Sequence, residues 1–422
     1  MDPSPAELSP IFIHSSFRTS STWLWSKFRN QPDAWAYCEI FHEAIAGITI
    51  ENARQLNYRS WDSNHPPTAP YFFEFFPLIQ PEGGITGYNS SMAFERWFIP
   101  ENGLSGTLSP AEHTYIDILI DNARSLGRRP VLADTRTLGR LQAVKSAYPS
   151  CLSILLVRNL FHQWSSYSSQ ALAGNPYFIA SLDKAVRAAG HDEFSRSLDH
   201  WYAGRIVAGD DEAMFKTFLI HHLYLYAHAF DAADSVVEVN AIASDNQQRL
   251  QKEEELHKLT GLQIDLADAK LELKMADIKI DSMPEFIDEI EQWMKRIAAS
   301  GTSPSGFQFA TRMKNEALSE LDKFLFYSKD TKKYYGSRAL SLTKERDDAL
   351  RKLENLQSST TAADQRISEL ESVLAESQQE VTNLATRLRQ SEEEFSILIR
   401  SSSWRLTRPF RSLQRLIGKK PI

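Results

Sequence analysis

Apolar residues follow two regimes along the chain. Up to about residue 260, short apolar runs alternate with segments of helical period, whereas beyond residue 340 single apolar residues recur at alternating intervals of three and four. In the first regime, residues 11–13 (IFI) predict a buried strand, residues 14–20 a tight polar loop, and residues 22–28 a helix stopped by Pro32. Residues 34–40 predict a second strand and 41–50 a helix or loop. Ser109-Pro110-Ala111-Glu112 is a capping box with proline at the first helical position, so a helix is expected from there to about residue 125, ended by Gly127. A third strand is expected over 130–133, a helix over 137–147 and a fully buried fourth strand over 152–157 (LSILLV). Helical spacing then holds from 175 to 231, followed by a last strand over 235–239 and a helix over 247–260 ended by Gly261. Strands alternating with helices predict an α/β fold on a parallel sheet.

Residues 51–108, rich in Pro, Asn, Gly and aromatics, have no clear period, which suits an insertion or lid over the domain. Its aromatics, Tyr71, Phe72, Phe73, Phe75 and Phe76, either stack on sugar rings or, as is commoner, pack the insertion down. Residues 266–340 predict a helical extension, with a flexible break at Gly301-Thr302-Ser303-Pro304-Ser305-Gly306. Over 341–399 the heptad has Ile367, Leu374, Val381, Leu388 and Phe395 at a, and Leu370, Ser377, Leu384, Ser391 and Leu398 at d. That pattern predicts a coiled coil and homo-oligomerisation, weakened by the serines at d; a long helix folded on the body is the alternative. Residues 400–422 read as a basic amphipathic tail whose Arg and Lys interleave with Trp404, Leu406, Phe410 and Leu413, a composition suited to peripheral contact with an anionic membrane face or equally to docking onto the partner coil.

Composition narrows the functional classes. A net charge of −7 over 422 residues gives no general affinity for nucleic acid, so no such partner is expected. Cys38 and Cys151 stand alone without metal-ligand spacing, which fits a reducing compartment. The first ten residues, MDPSPAELSP, lack the basic and apolar regions of an export signal, and a cytoplasmic location is expected, with the tail at the inner membrane face.

The chemistry concentrates where the first strand ends. A loop feeding a helix N-terminus presents unpaired amides and positive dipole to an anion. Arg18 adds fixed charge there, Thr19, Ser20, Ser21 and Thr22 add hydroxyls, and Trp23 adds a face for a base. A Ser/Thr cluster in that position is more often a plain helix cap. The Walker pattern is absent, which removes a P-loop kinase. At the ends of the next strands stand Glu39, His42 and Glu43, and later Arg158 with Ser166 eight residues on, a little over two helical turns. His221, His222 and His228 on the aromatic helical stretch are expected as fillers rather than ligands.

The stretch FRTSSTW resembles the 5′-phosphosulfate-binding loop of the sulfotransferases, P-[KR]-S-G-T-T-W, with Phe17 and Ser20 departing from it. Arg158 and Ser166 resemble the family's 3′-phosphate-binding arginine and serine. Glu39, seventeen residues past Thr22 and preceded by QPDAWAYC, is similar to the catalytic base of the Golgi-type and tyrosylprotein branches, with His42 in reserve. The histidine segment of the cytosolic branch is missing, and LADTRTLGRL there offers Arg136 and Arg140 to a transferring sulfonate. The Y-E-[DE]-L segment that often follows the family's last strand is also degraded.

The resemblance covers roughly residues 10 to 260 and implies a P-loop-like three-layer fold over 1–265 binding 3′-phosphoadenosine 5′-phosphosulfate (PAPS), with 3′-phosphoadenosine 5′-phosphate (PAP) as product. It implies an enzyme with catalytic Glu39, Arg18 and His42, and with Arg18, Thr19, Ser20, Ser21, Thr22, Trp23, Arg158 and Ser166 on the nucleotide. A singly charged sulfuryl group needs no metal. The tail is similar to S-x-S-W-R-x-T-x-P-x-R endings that follow coiled coils in bacterial glycan-synthesis proteins, which points to a carbohydrate or glycolipid acceptor. The opposing possibility is an inactive nucleotide-binding scaffold of a glycan-assembly complex, favoured by the glycine-free loop.

Overall fold

A computed structural model describes residues 8–56, 70–93, 98–100, 103–207, 211–271, 278–326 and 362–400. The chain divides into two compact units, Met1–Ala317 and Leu318–Ile422.

The first unit is built on β1 (Ile11–His14), β2 (Ala34–Cys38), β3 (Arg129–Asp134), β4 (Leu152–Val157) and β5 (Ser235–Glu238). They form one parallel sheet in the order β2-β3-β1-β4-β5, flanked by helices. Ile11 aligns with Val131 on one side and Leu152 on the other, which places β1 at the centre. A strand covered on both faces needs apolar residues at every position, and LSILLV in β4 meets that need. Between β1 and β2 runs α1 (Ser21–Arg29); α2 (Ile50–Gln55) and α3 (Pro110–Ser125) precede β3, and α4 (Leu141–Ala147) follows it. In α3, Ser109 Oγ accepts from the Glu112 amide while the Glu112 carboxylate accepts from the Ser109 amide, as its capping box predicts. After β4 come α5 (Leu160–Leu172), α6 (Tyr177–Ala188), α7 (Glu193–Val207) and α8 (Asp211–Ala229). The chain then passes through β5 to α9 (Val239–Ser244), α10 (Asn246–Thr260) and α11 (Met283–Ala299). Among the described residues, no helix is long and apolar enough to cross a membrane.

Several expectations are corrected by local physics. The second strand stops at Cys38 rather than residue 40, because Glu39 turns to a φ of 51° that no strand continues. The helix expected over 137–147 opens as a 3₁₀ turn, Leu138–Arg140, where Gly139 lies so close to the Phe98 carbonyl that a Cβ would sit 2.1 Å from it. In the insertion, Tyr71, Phe72 and Phe75 are buried in the main core while Phe73 is exposed, so packing accounts for most of its aromatics. The break expected around residues 301–306 is a tight corner: Ser303 and Ser305 hydroxyls bond to Asp231, and Gly306, already within a helix over 304–326, abuts the Ala227 carbonyl.

In the second unit, Ala362–Arg400 is one helix. Ser377 and Leu384, both expected at d, are buried within the single chain, while Val373 and Val381 are exposed. Residues 327–361 and 401–422, which hold the start of the expected coiled coil and nearly all of the basic tail, lie outside the described residues.

Candidate functional site

In open parallel sheets, ligands gather beyond the carboxyl ends of the strands, at the point where connections leave to opposite sides. Here that point lies between β1 and β4. From β1 the chain leaves toward β2 and β3, and β4 and β5 occupy the other side.

The loop after β1 has its carbonyls tied to the protein. The Ser16 carbonyl accepts from Thr19 Oγ1 at 2.7 Å, that of Phe17 from Gln163 Nε2 at 2.7 Å, and that of Arg18 from Arg158 Nη1 at 2.9 Å. The Ser20 carbonyl takes the Leu24 amide, the first bond of α1. In a trans peptide the C=O of one residue points opposite to the N–H of the next, so the bonds at the Arg18 and Ser20 carbonyls turn the Thr19 and Ser21 amides away from those partners. Among the described residues, the amides of Thr19, Ser20, Ser21 and Thr22 have no hydrogen-bond partner in the chain. Arg18 and Ser20 stand at φ 61° and 71°, the left-handed region that favours glycine. Alternation of this kind makes a concave cradle of amides. Ser20 makes no side-chain cap bond to α1, so the plain helix-cap reading is not how the cluster is used.

Two cations flank the cradle. Arg18 Nε donates to Ser166 Oγ of α5 at 2.8 Å, and its guanidinium lies 5.1 Å from the Phe178 ring centroid. Arg158, buried at the end of β4, reaches the Arg18 carbonyl as described. Arg18, Arg158 and Ser166 are therefore brought together, although Ser166 meets Arg18 directly. The first amides of α5 are occupied by the Asn159 side chain, which caps Phe161 and His162. Trp23 turns its indole N–H to Asp268 at 2.9 Å, with Lys27 over the ring at 5.8 Å.

Glu39 sits at the end of β2 in a second cluster. Its Oε2 accepts from Arg136 Nη1 at 2.7 Å and its Oε1 from the Tyr71 hydroxyl at 3.3 Å. Arg136 is fully buried and also donates to Glu43 Oε2 and the Tyr177 hydroxyl, each at 3.1 Å. Burial opposes its charge, but Glu39, Tyr177, Asp134 and Glu43 hold its pKa above the ordinary value. Asp134, at the end of β3, takes the Phe41 amide at 2.8 Å and the Arg136 amide at 2.5 Å, locking the two strand ends together. Arg136 thus bridges Glu39, Glu43 and Tyr177. Arg140 pairs with Glu112 at 3.3 Å.

His42 is held neutral by burial, helped by Arg136. Its Nδ1 accepts from the Ala44 amide at 3.0 Å, which assigns the ring hydrogen to Nε2, 3.7 Å from Glu39 Oε2. In that tautomer His42 faces Glu39 as a donor and presents no lone pair there, so it is a poor base.

Asp134, Gln163 and the pairings of Glu39 with Arg136 and Tyr71 leave no sign in the sequence. Each reaches the site from a distant segment with no spacing to betray it. No family model, curated protein or solved structure matches the chain.

Proposed function

We propose that the chain is a PAPS-dependent sulfotransferase with a P-loop-like nucleotide loop, acting on a hydroxyl of a glycan or glycolipid. The observation that carries this is the loop after β1: its carbonyls at Ser16, Phe17 and Arg18 are tied inward, four following amides are unpartnered among the described residues, and Arg18 and Arg158 stand beside it. A nucleotide charged at both ends needs two cationic seats, a role for which Arg18 and Arg158 are the candidates. The loop and Arg18 bind the 5′-phosphosulfate, and Arg158 with Ser166 the 3′-phosphate.

In the reaction the acceptor oxygen forms a bond to sulfur as the bond from sulfur to the 5′-phosphate oxygen breaks, its electron pair leaving with PAP. Positioning and charge stabilisation dominate such a loose, in-line transfer. Arg18 neutralises the leaving phosphate, and Glu39 accepts the proton of the acceptor hydroxyl. Arg136 already occupies Glu39 Oε2, so the acceptor hydroxyl must compete for that oxygen before Glu39 takes its proton. That ion pair also favours the second reading, an inactive nucleotide-binding scaffold.

Thermal shift of the full chain decides the donor. PAP at a hundred times its dissociation constant adds about 2.7 kcal/mol of stability, whereas ATP, without a 3′-phosphate, adds much less; equal responses, or none, remove the assignment. Sulfate transfer from PAPS to a panel of glycans then separates enzyme from scaffold, with Glu39→Gln keeping PAP binding and losing turnover. Self-association through 341–399 and membrane contact through 400–422 belong to the same proposal. Because Ser377 and Leu384 are covered within one chain, an unchanged number of chains per particle by light scattering after removal of residues 340–422 would favour a helix folded within its own chain.

A further inference from the structure

The loop between β1 and α1 is held in its strained shape by side chains that sulfuryl transfer itself does not require. Ser16 is fully buried, and its hydroxyl lies 2.7 Å from His222 Nε2 on α8. On the same ring, Nδ1 lies 2.8 Å from the Phe218 carbonyl. A carbonyl only accepts, so Nδ1 carries the hydrogen and Nε2 is the acceptor for Ser16. The ring is fixed in place, 4.1 Å between centroids from Phe218 and buried among α8 neighbours. From α5, Gln163 Nε2 donates to the Phe17 carbonyl at 2.7 Å and lies 3.5 Å from His222 Nε2. Residues 16 and 17 are therefore pinned, one by each helix, just before the first left-handed residue, Arg18. Without that pinning, only the Thr19 bond to the Ser16 carbonyl and the bonds of Arg18 to Arg158 and Ser166 oppose relaxation of Arg18 and Ser20 toward ordinary φ, which would turn the amides of the cradle away from a common centre.

We infer that Ser16, His222 and Gln163 form a positioning clamp that sets the affinity of the loop for a phosphate or phosphosulfate group, with His222 acting through the loop and not on the anion. This rests on the nucleotide reading above. The test is calorimetric titration of the full chain with PAP, with urea unfolding of each variant measured alongside. His222→Phe keeps the ring and removes the acceptor; about a tenfold loss of PAP affinity is expected, equivalent to about 1.4 kcal/mol. His222→Gln restores an acceptor at similar reach and should stay within about threefold of wild type. Ser16→Ala removes the same bond and also the contact of Ser16 with the Tyr167 hydroxyl, so it should lose at least about tenfold, and the double variant S16A/H222F should be no weaker than S16A alone. If H222F does not fold, S16A decides. A PAP affinity in S16A equal to that of the wild type overturns the clamp alone, as do single losses that multiply in the double variant. A wild-type chain that does not bind PAP overturns the nucleotide reading and the clamp with it.

Discussion

Among the described residues, Arg18, Ser20 and Glu39 are the non-glycine residues with a left-handed backbone, and each lies just past the carboxyl end of a strand, β1 or β2. A side chain in that region costs about 1–2 kcal/mol, and strain of this size persists where the surroundings over-determine it. Ser20→Gly should relieve that cost but give back about 0.4–1 kcal/mol through the freer unfolded chain. A net gain of about 0.5–1 kcal/mol in urea unfolding is expected, and a loss would mean the serine side chain holds the loop. Arg136→Met removes the common partner of Glu39 and Glu43 and should cost about 3 kcal/mol, read as a lower urea midpoint. At this scale the sequence was partly legible. Arg18, Ser166 and Glu39 were recognisable because a short stretch resembles a known loop and fixed spacings follow it. Arg136 was visible only as a cation with no partner in view. Its bond to Glu39 spans 97 residues, and only the pairing of β2 with β3 brings the two together.

Elements with a strong local signal were legible nearly to the residue. The fourth strand, the capped start of α3 and the stop of α10 at Gly261, where φ is 69°, each follow from a few adjacent residues. What escaped was decided by contact between elements. The stretch from Phe215 to Ala227 in α8 is buried on every side, so its His221 and His222 are core residues, yet one of them grips the loop after β1. The glycines near residue 300 suggest freedom to the eye, but Gly306 is there for close approach, since a Cβ would meet the Ala227 carbonyl at 2.1 Å. Gly306→Ala should therefore destabilise despite the better helix propensity of alanine. Propensity gains about 1 kcal/mol and overpacking against a backbone carbonyl costs about 1–3 kcal/mol. A lower melting temperature is the expected outcome, and a higher one would show that this helix can draw back from α8.

At the scale of the whole molecule, burial of histidine gives the fold a pH dependence with a definite sign. Burial holds His14 and His221 down to about 3 and His222 and His228 down to about 4. His42 is lowered for the same reason. In the unfolded chain each titrates near 6.5, so unfolding takes up protons below that value, and the stability present above pH 6.5 is lost as pH falls. Two buried acids act the other way. Burial raises Asp134 and Glu74 to about 7, so the native state keeps protons that the unfolded chain releases above about pH 4. At pH 5 the first four histidines alone outnumber the two acids, leaving a net uptake of about two protons on unfolding, or roughly 2.7 kcal/mol lost per pH unit. Urea midpoints should therefore fall steeply between pH 6.5 and pH 4.5. Replacing His221, whose two nitrogens have no hydrogen-bond partner among the described residues, with phenylalanine should flatten the slope by about one proton. A midpoint that is level or rises toward acid would show that these rings are not held neutral.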